Sequence, residues 1–133
     1  MKGLDTNILV RHLVRDDPEQ TRHAHRFITQ ELTRENPGFI NRVVLAELVW
    51  VLQSGYEYPK AAIIEVLENV LRTSQFFIED LAAARSALRL YQEKNADFAD
   101  CLVGVLNHDS GCDRTVTFDR AAARLDEFEL LPL

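Results

Sequence analysis

The stretch Met1–Val10, MKGLDTNILV, decides the fold. Lys2, Gly3 and Leu4 read as the end of a short strand, and Ile8-Leu9-Val10 as the first apolar turn of a helix. Between them stand Asp5, Thr6 and Asn7. All three residue types make good N-caps, because a side-chain oxygen accepts from the free N–H groups of a first helical turn. Asp5 taken alone is therefore punctuation. A chemical role for it requires further acids to arrive at the same place.

Outward from this stretch the alternation repeats. Asp17-Pro18-Glu19-Gln20 starts a helix, with Asp as cap, Pro in the first turn and Gln at the capping-box position. That helix carries Ala24, Phe27, Ile28 and Leu32 on one side and stops at Asn36-Pro37-Gly38. Phe39-Ile40 is a short apolar run fit for a buried strand, and Asn41 caps the helix RVVLAELVWVLQS, which ends at Gly55. Pro59 begins another helix, with Ile63, Val66, Leu67, Val70 and Leu71 at helical spacing. QFFI reads as a strand, and Asp80 caps LAAARSALRLYQEK. A further helix covers residues 97–109, RTVTF is a strand, DRAAARL a short helix, and FELL a last strand. Short apolar strands alternating with longer helices imply βα units, and so an α/β fold with a mostly parallel sheet covered on both faces. Ligands of such sheets bind outside the carboxyl ends of the strands.

The length of 133 residues suits a single domain over residues 1–133 with a core of its own. The first apolar stretch is cut by Asp5 and by Arg11-His12, so no signal peptide is expected, and no uninterrupted run approaches the roughly 20 apolar residues a membrane helix needs. Cys101 and Cys112 have no CxxC spacing, so they are expected to be reduced, in a cytoplasmic protein. The net charge of −6 argues against a nucleic-acid binder with a basic footprint, unless the acids are concentrated in one place.

The acids recur at positions that such a sheet can bring together. Asp5 follows the first strand, and Asp119 follows RTVTF, although an Asp opening RAAARL is also a good N-cap. Asp97 and Asp100 stand three apart and share a helix face with Gly104 and His108, while Leu102, Val105 and Leu106 form the apolar face. Asp97 could equally be a cap, with Asp100 favoured by the helix dipole. Glu47 cannot be a cap, because it lies mid-helix, the only acid between Glu35 and Glu57, on a helix that is otherwise nearly all apolar; its alternative is a lone exposed Glu on a mostly buried helix. A Glu is almost never buried unless it is paired or metal-bound. A parallel sheet can bring these five positions to one edge, where like charges would coexist only by protonation or around a cation. Oxygen-only ligands suit the hard ions Mg²⁺ or Mn²⁺. Such an ion activates a water for attack on a phosphate ester or phosphodiester.

Other signals are weaker. His12, His23, His25 and His108 make no zinc site, since His23 and His25 point to different sides of a helix. Trp50 and Phe76-Phe77 are embedded in apolar runs and read as core. There is no GxSxG, P-loop or GxGxxG. LDTN is similar to the opening of the aspartyl phosphatases of the haloacid dehalogenase type, but those want a second Asp where Asn7 stands.

Four segments, LDTNILVRHLVRDDPEQ, NRVVLAELVWVL, NADFADCLVG and TVTFD, together resemble the PIN-domain ribonucleases, most closely the VapC toxins of bacterial toxin–antitoxin pairs. The resemblance covers almost the whole chain in order and shows no departure at the main acid positions. It implies a three-layer α/β/α fold, a Mg²⁺-dependent endoribonuclease for which Mn²⁺ substitutes, an RNA substrate, an antitoxin that plugs the site, and a homodimer. It carries the family's acids onto Asp5, Glu47, Asp100 and Asp119 as catalytic metal ligands, with Asp97 matching an acid found in many members. Asn7 and Thr117 match polar positions that hydrogen-bond the carboxylates. Arg11, Arg15, Arg42, Arg114 and Arg120 are candidates to steer phosphate, each also readable as an ordinary solvated arginine. Helices within residues 18–73 are expected to supply the antitoxin groove and a dimer face.

With five site acids set aside from 21, 16 face 15 basic residues, a balance of −1, so the acidity is largely the site itself. Weak, salt-dependent RNA binding follows. Two other readings stay open: a PIN nuclease in RNA or DNA processing outside a toxin pair, and a binding module whose acids only cap helices.

Overall fold

The first strand, β1 (Lys2–Gly3), is short because Asp5 and the helix it introduces end the extended run. A computed structural model describes all 133 residues. They form two compact units, Met1–Glu79 and Asp80–Leu133.

In the first unit, β1, β2 (Gly38–Ile40) and β3 (Phe76–Ile78) form a parallel sheet in that order. Gly3 lies beside Phe39, and Phe39 beside Phe77. Parallel neighbours need crossover connections. The chain supplies α1 (Thr6–Val14) and α2 (Pro18–Arg26) between β1 and β2, then α3 (Arg42–Tyr56) and α4 (Lys60–Arg72) between β2 and β3. Asp17 accepts from the Gln20 amide, and Asn41 from the Val44 amide, so both caps read from sequence are made. The capping-box partner is used differently: Gln20 Oε1 accepts from Arg11 Nε at 2.7 Å. Beyond Arg26 the helix widens into one π-helical turn, Phe27–Glu31, and ends at Leu32, short of Asn36. Leu9, Leu45, Leu48, Leu52, Ile63 and Leu67 are wholly buried, and burying such a side chain contributes about 1.5–3 kcal/mol.

The second unit begins with Asp80 in the left-handed region (φ 54°), where its carboxylate accepts from Ala83 N and starts α5 (Leu81–Glu93). Then come α6 (Phe98–Asp109), β4 (Thr115–Thr117), a 3₁₀ turn at Ala122–Arg124 and β5 (Phe128–Leu130), with β4 and β5 paired in parallel. Helices α5 and α6 pack together, with Ala84, Ala87, Tyr91, Phe98 and Cys101 buried and the Tyr91 and Phe98 rings edge to face at 5.9 Å. Gly104 is buried against β5 rather than open on the acid face: a Cβ there would meet Phe128 Cε2 at 2.9 Å.

All five expected strands are present and their pairing is parallel, so the α/β reading holds. The core reading of Trp50 and Phe77 does not, because Trp50 is 66% and Phe77 54% exposed. Helix α3 is apolar on nearly every side, so hydrophobicity could not tell its inner face from its outer one. Val43, Glu47 and Trp50 recur at helical spacing and all lie exposed on that outer face. Phe77 lies on β3, an edge strand, with its ring 6.0 Å from that of Phe39.

Candidate functional site

In the first unit the acids converge on Thr6. The backbone N–H of Thr6 donates to Asp5 Oδ1 at 2.8 Å, which is how Asp5 caps α1. The Thr6 hydroxyl donates to Glu47 Oε1 at 3.4 Å, across 41 residues of sequence. Asp5 and Glu47 are themselves exposed, while Thr6 is buried, 4% exposed, although polar. The family resemblance points to Asn7 beside the acids and not to Thr6. The available signal was its place at the first position of α1, where no helical carbonyl four residues earlier exists to take the hydroxyl proton.

Also in this unit, Asn7 opens on a hollow of about 360 Å³ shared with Arg11, Gln20, His23 and Phe27. Arg11 is tied down: its guanidinium donates to Gln20 and to Asp16 (3.0 Å), and Tyr56 donates to the other Asp16 oxygen at 2.7 Å. The Tyr56 and Arg11 contacts hold Asp16 below the ordinary carboxylate range. Arg42 pairs with Glu79 at 3.1 Å, just past the carboxyl end of β3. Arg15 ends α1 in the left-handed region, exposed.

In the second unit Asp97 heads α6 but makes no side-chain capping bond, so the capping alternative fails for it. Asp100 lies in the first turn, partly buried, and its carboxyl is pushed above its ordinary pKa by that burial and then by the charges of Asp97 and Asp119. These three acids are therefore close enough to repel. Asp119 also accepts from the Ala121 amide at 2.8 Å, opening the 3₁₀ turn as a capping residue would. Thr117 is beside it, with a different bond from the one expected: its hydroxyl oxygen accepts from the Asp119 backbone N–H at 2.9 Å and does not hydrogen-bond the carboxylate. Arg114 donates to the Asp126 carbonyl at 2.9 Å, and Arg120 is exposed.

The donor chemistry of both groups fits a hard divalent cation: every candidate ligand atom is a carboxylate oxygen, and Asp100 stands against two like charges that a cation would offset. No three His, Cys, Asp or Glu side chains are drawn together into a finished metal cage. The two cysteines form no disulfide; Cys101 is buried and Cys112 exposed. No helix is long and apolar enough to cross a membrane.

The PIN domain family model matches residues 3–128. A VapC ribonuclease of Aquifex aeolicus (strain VF5) is 30% identical over 125 residues, covering 94% of this chain and 92% of that protein. No solved structure gives a significant match. The strand–acid–helix opening, the mid-helix glutamate, the acids heading α6 and the acid after β4 thus recur in a chain matched nearly from end to end by that family, and the protein belongs to the PIN-domain family, among its VapC-type members.

Proposed function

We propose that this protein is a Mg²⁺-dependent endoribonuclease of the VapC kind, a single PIN domain over residues 1–133, cytoplasmic, held inactive by a cognate antitoxin. Asp5, Glu47, Asp100 and Asp119 carry the reaction, with Asp97 as a further ligand. The observation that carries this reading is the state of Asp100: burial beside two like charges, at the head of a helix where no capping bond is made, is unfavourable for a carboxylate without a cation. The curated relative, a ribonuclease by name, supports RNA as the substrate.

A divalent ion, when bound, supplies charge neutralisation at phosphorus and an activated water. Asp5, Glu47, Asp100 and Asp119, with Asp97, would hold that ion, and of these Asp100 alone is partly buried. The Asp119 carboxylate is fixed by the Ala121 amide and Asp5 by the Thr6 amide, so each keeps one oxygen outside those bonds. Of the arginines, exposed Arg15 and Arg120 are better placed to meet phosphate than Arg11, Arg42 or Arg114, whose guanidiniums are engaged within the fold. The exposed Val43 and Trp50 on α3 favour the same helices, within residues 18–73, as the surface for antitoxin and for self-association.

The test is to map cut sites in cellular RNA after pulsed expression of the wild type and of Asp5→Asn. Cleavage at discrete sites by the wild type alone is expected; identical patterns from both would overturn the assignment. A binding module is the second reading, favoured by the capping bonds that Asp5 and Asp119 both make. It requires that no Mn²⁺ binds and that Asp5→Asn/Asp119→Asn keeps full stability. A neighbouring antitoxin reading frame separates a toxin from a PIN nuclease of RNA or DNA processing.

A further inference from the structure

The geometry points to Thr6 as the positioning residue that sets the Asp5 and Glu47 carboxylates relative to one another, and through them the affinity for a divalent cation; this rests on the metal-dependent reading above. Three observations converge. Thr6 is buried (4% exposed) although polar, so its hydroxyl needs a partner inside the fold. It stands at the first position of α1, where the carbonyl that usually takes a helical threonine's proton does not exist. Its two donors go to two different acids: the amide to Asp5 Oδ1 at 2.8 Å, the hydroxyl to Glu47 Oε1 at 3.4 Å.

Glu47 has long, flexible stem bonds and an exposed head on the outer face of α3. Without a tether it samples many rotamers, and a cation must order it on binding. A donor anchored in the core limits that freedom beforehand, leaving the second oxygen of each carboxylate for the ion. Hydrogen bonds that orient metal ligands typically change metal affinity by about 10–100-fold when removed. The amide that holds Asp5 survives any side-chain change at Thr6, whereas the hydroxyl that holds Glu47 is separable by substitution from the methyl group that fills the buried site.

The experiment is Mn²⁺ titration of the full chain by calorimetry, with circular dichroism and thermal melting alongside. Thr6→Val keeps the shape and removes the donor, Thr6→Ala removes it without placing a second methyl in the buried site, and Thr6→Ser retains it. Both donor-less variants are expected to bind Mn²⁺ about tenfold more weakly, the lower end of that range, while Thr6→Ser stays near the parent. High Mn²⁺ should then restore their RNA cleavage, which loss of a catalytic group would not allow. Parent-like Mn²⁺ binding by Thr6→Val or Thr6→Ala overturns the proposal, as does equal weakening in Thr6→Ser. Asp5→Asn separates the two levels: if it loses Mn²⁺ and Thr6→Val does not, only the role of Thr6 falls; if neither changes binding, the metal reading falls with it.

Discussion

Asp100 stands three residues along α6 from Asp97, and after burial the charge of Asp97 is the next largest influence raising the Asp100 pKa, followed by Asp119. A carboxyl whose folded pKa lies above its unfolded value of 3.8 favours the fold most when protonated in both states, and that contribution is lost as pH rises through the folded value. The metal-free protein is therefore expected to lose stability as pH rises from below 4 through the raised Asp100 value. Asp100→Asn should flatten that part of the profile and melt higher than the parent at pH 7, while losing cleavage by about two orders of magnitude or more. Melting in EDTA from pH 3.5 to 8 checks the first outcome, and a cleavage assay in Mg²⁺ the second. A variant that melts lower and still cleaves would contradict both.

His12 provides a second pH dependence of opposite sense. Its ring stacks on His25 at 5.3 Å, its Nδ1 is buried without a hydrogen-bond partner, and burial, then His25 and Arg15, lower its pKa below 6.5. A depressed histidine contributes stability above its unfolded pKa and loses it as pH falls from about 6.5 through the folded value. Urea unfolding at pH 7.5 and 5.5 should show a decrease that His12→Gln reduces. An equal decrease in both proteins would show that the stacked pair is not its source.

Packing at Gly104 gives a prediction independent of function. A methyl group there meets the Phe128 ring at 2.9 Å and the Glu127 Cβ at 3.2 Å, and a ring wedged in the core yields less readily than the end of a leucine. Gly104→Ala is expected to destabilise by about 1–3 kcal/mol, despite the better helix propensity of alanine. Gly55→Ala, also helical and open apart from Val51 at 3.9 Å, should be neutral or stabilising. Chemical denaturation of the two variants compares them directly.

These outcomes also mark what the chain reveals on inspection. The five strands were legible because each is a short apolar run bounded by turn residues, and Asp17 and Asn41 were legible because capping is local chemistry. Glu47 stood out because nothing local explained it. The outward direction of Trp50 was not legible, since an all-round apolar helix carries no period that distinguishes its faces. Nor was the Thr6–Glu47 bond, which joins residues 41 apart through a hydroxyl that is usually satisfied within its own helix. Asp97 and Asp119 looked alike as caps, and only their bonds separate them: Asp119 accepts a backbone N–H, whereas Asp97 caps nothing.

Bound metal should stabilise by mass action. At about 100 times its dissociation constant, Mn²⁺ is expected to add about 2.7 kcal/mol to the unfolding free energy of the parent and almost nothing to Asp5→Asn/Asp119→Asn. Melting curves with and without Mn²⁺ measure the difference, and equal stabilisation of both proteins would place the ion elsewhere.

The most direct measurement is Mn²⁺ binding by electron paramagnetic resonance to the wild type and, one at a time, to Asp5→Asn, Glu47→Gln, Asp100→Asn and Asp119→Asn, each confirmed folded. Binding by the wild type and its loss or marked weakening in every variant is the expected result, since each acid then serves the same ion. Variants that take up Mn²⁺ as tightly as the wild type would contradict it and leave these carboxylates as helix caps and surface charge.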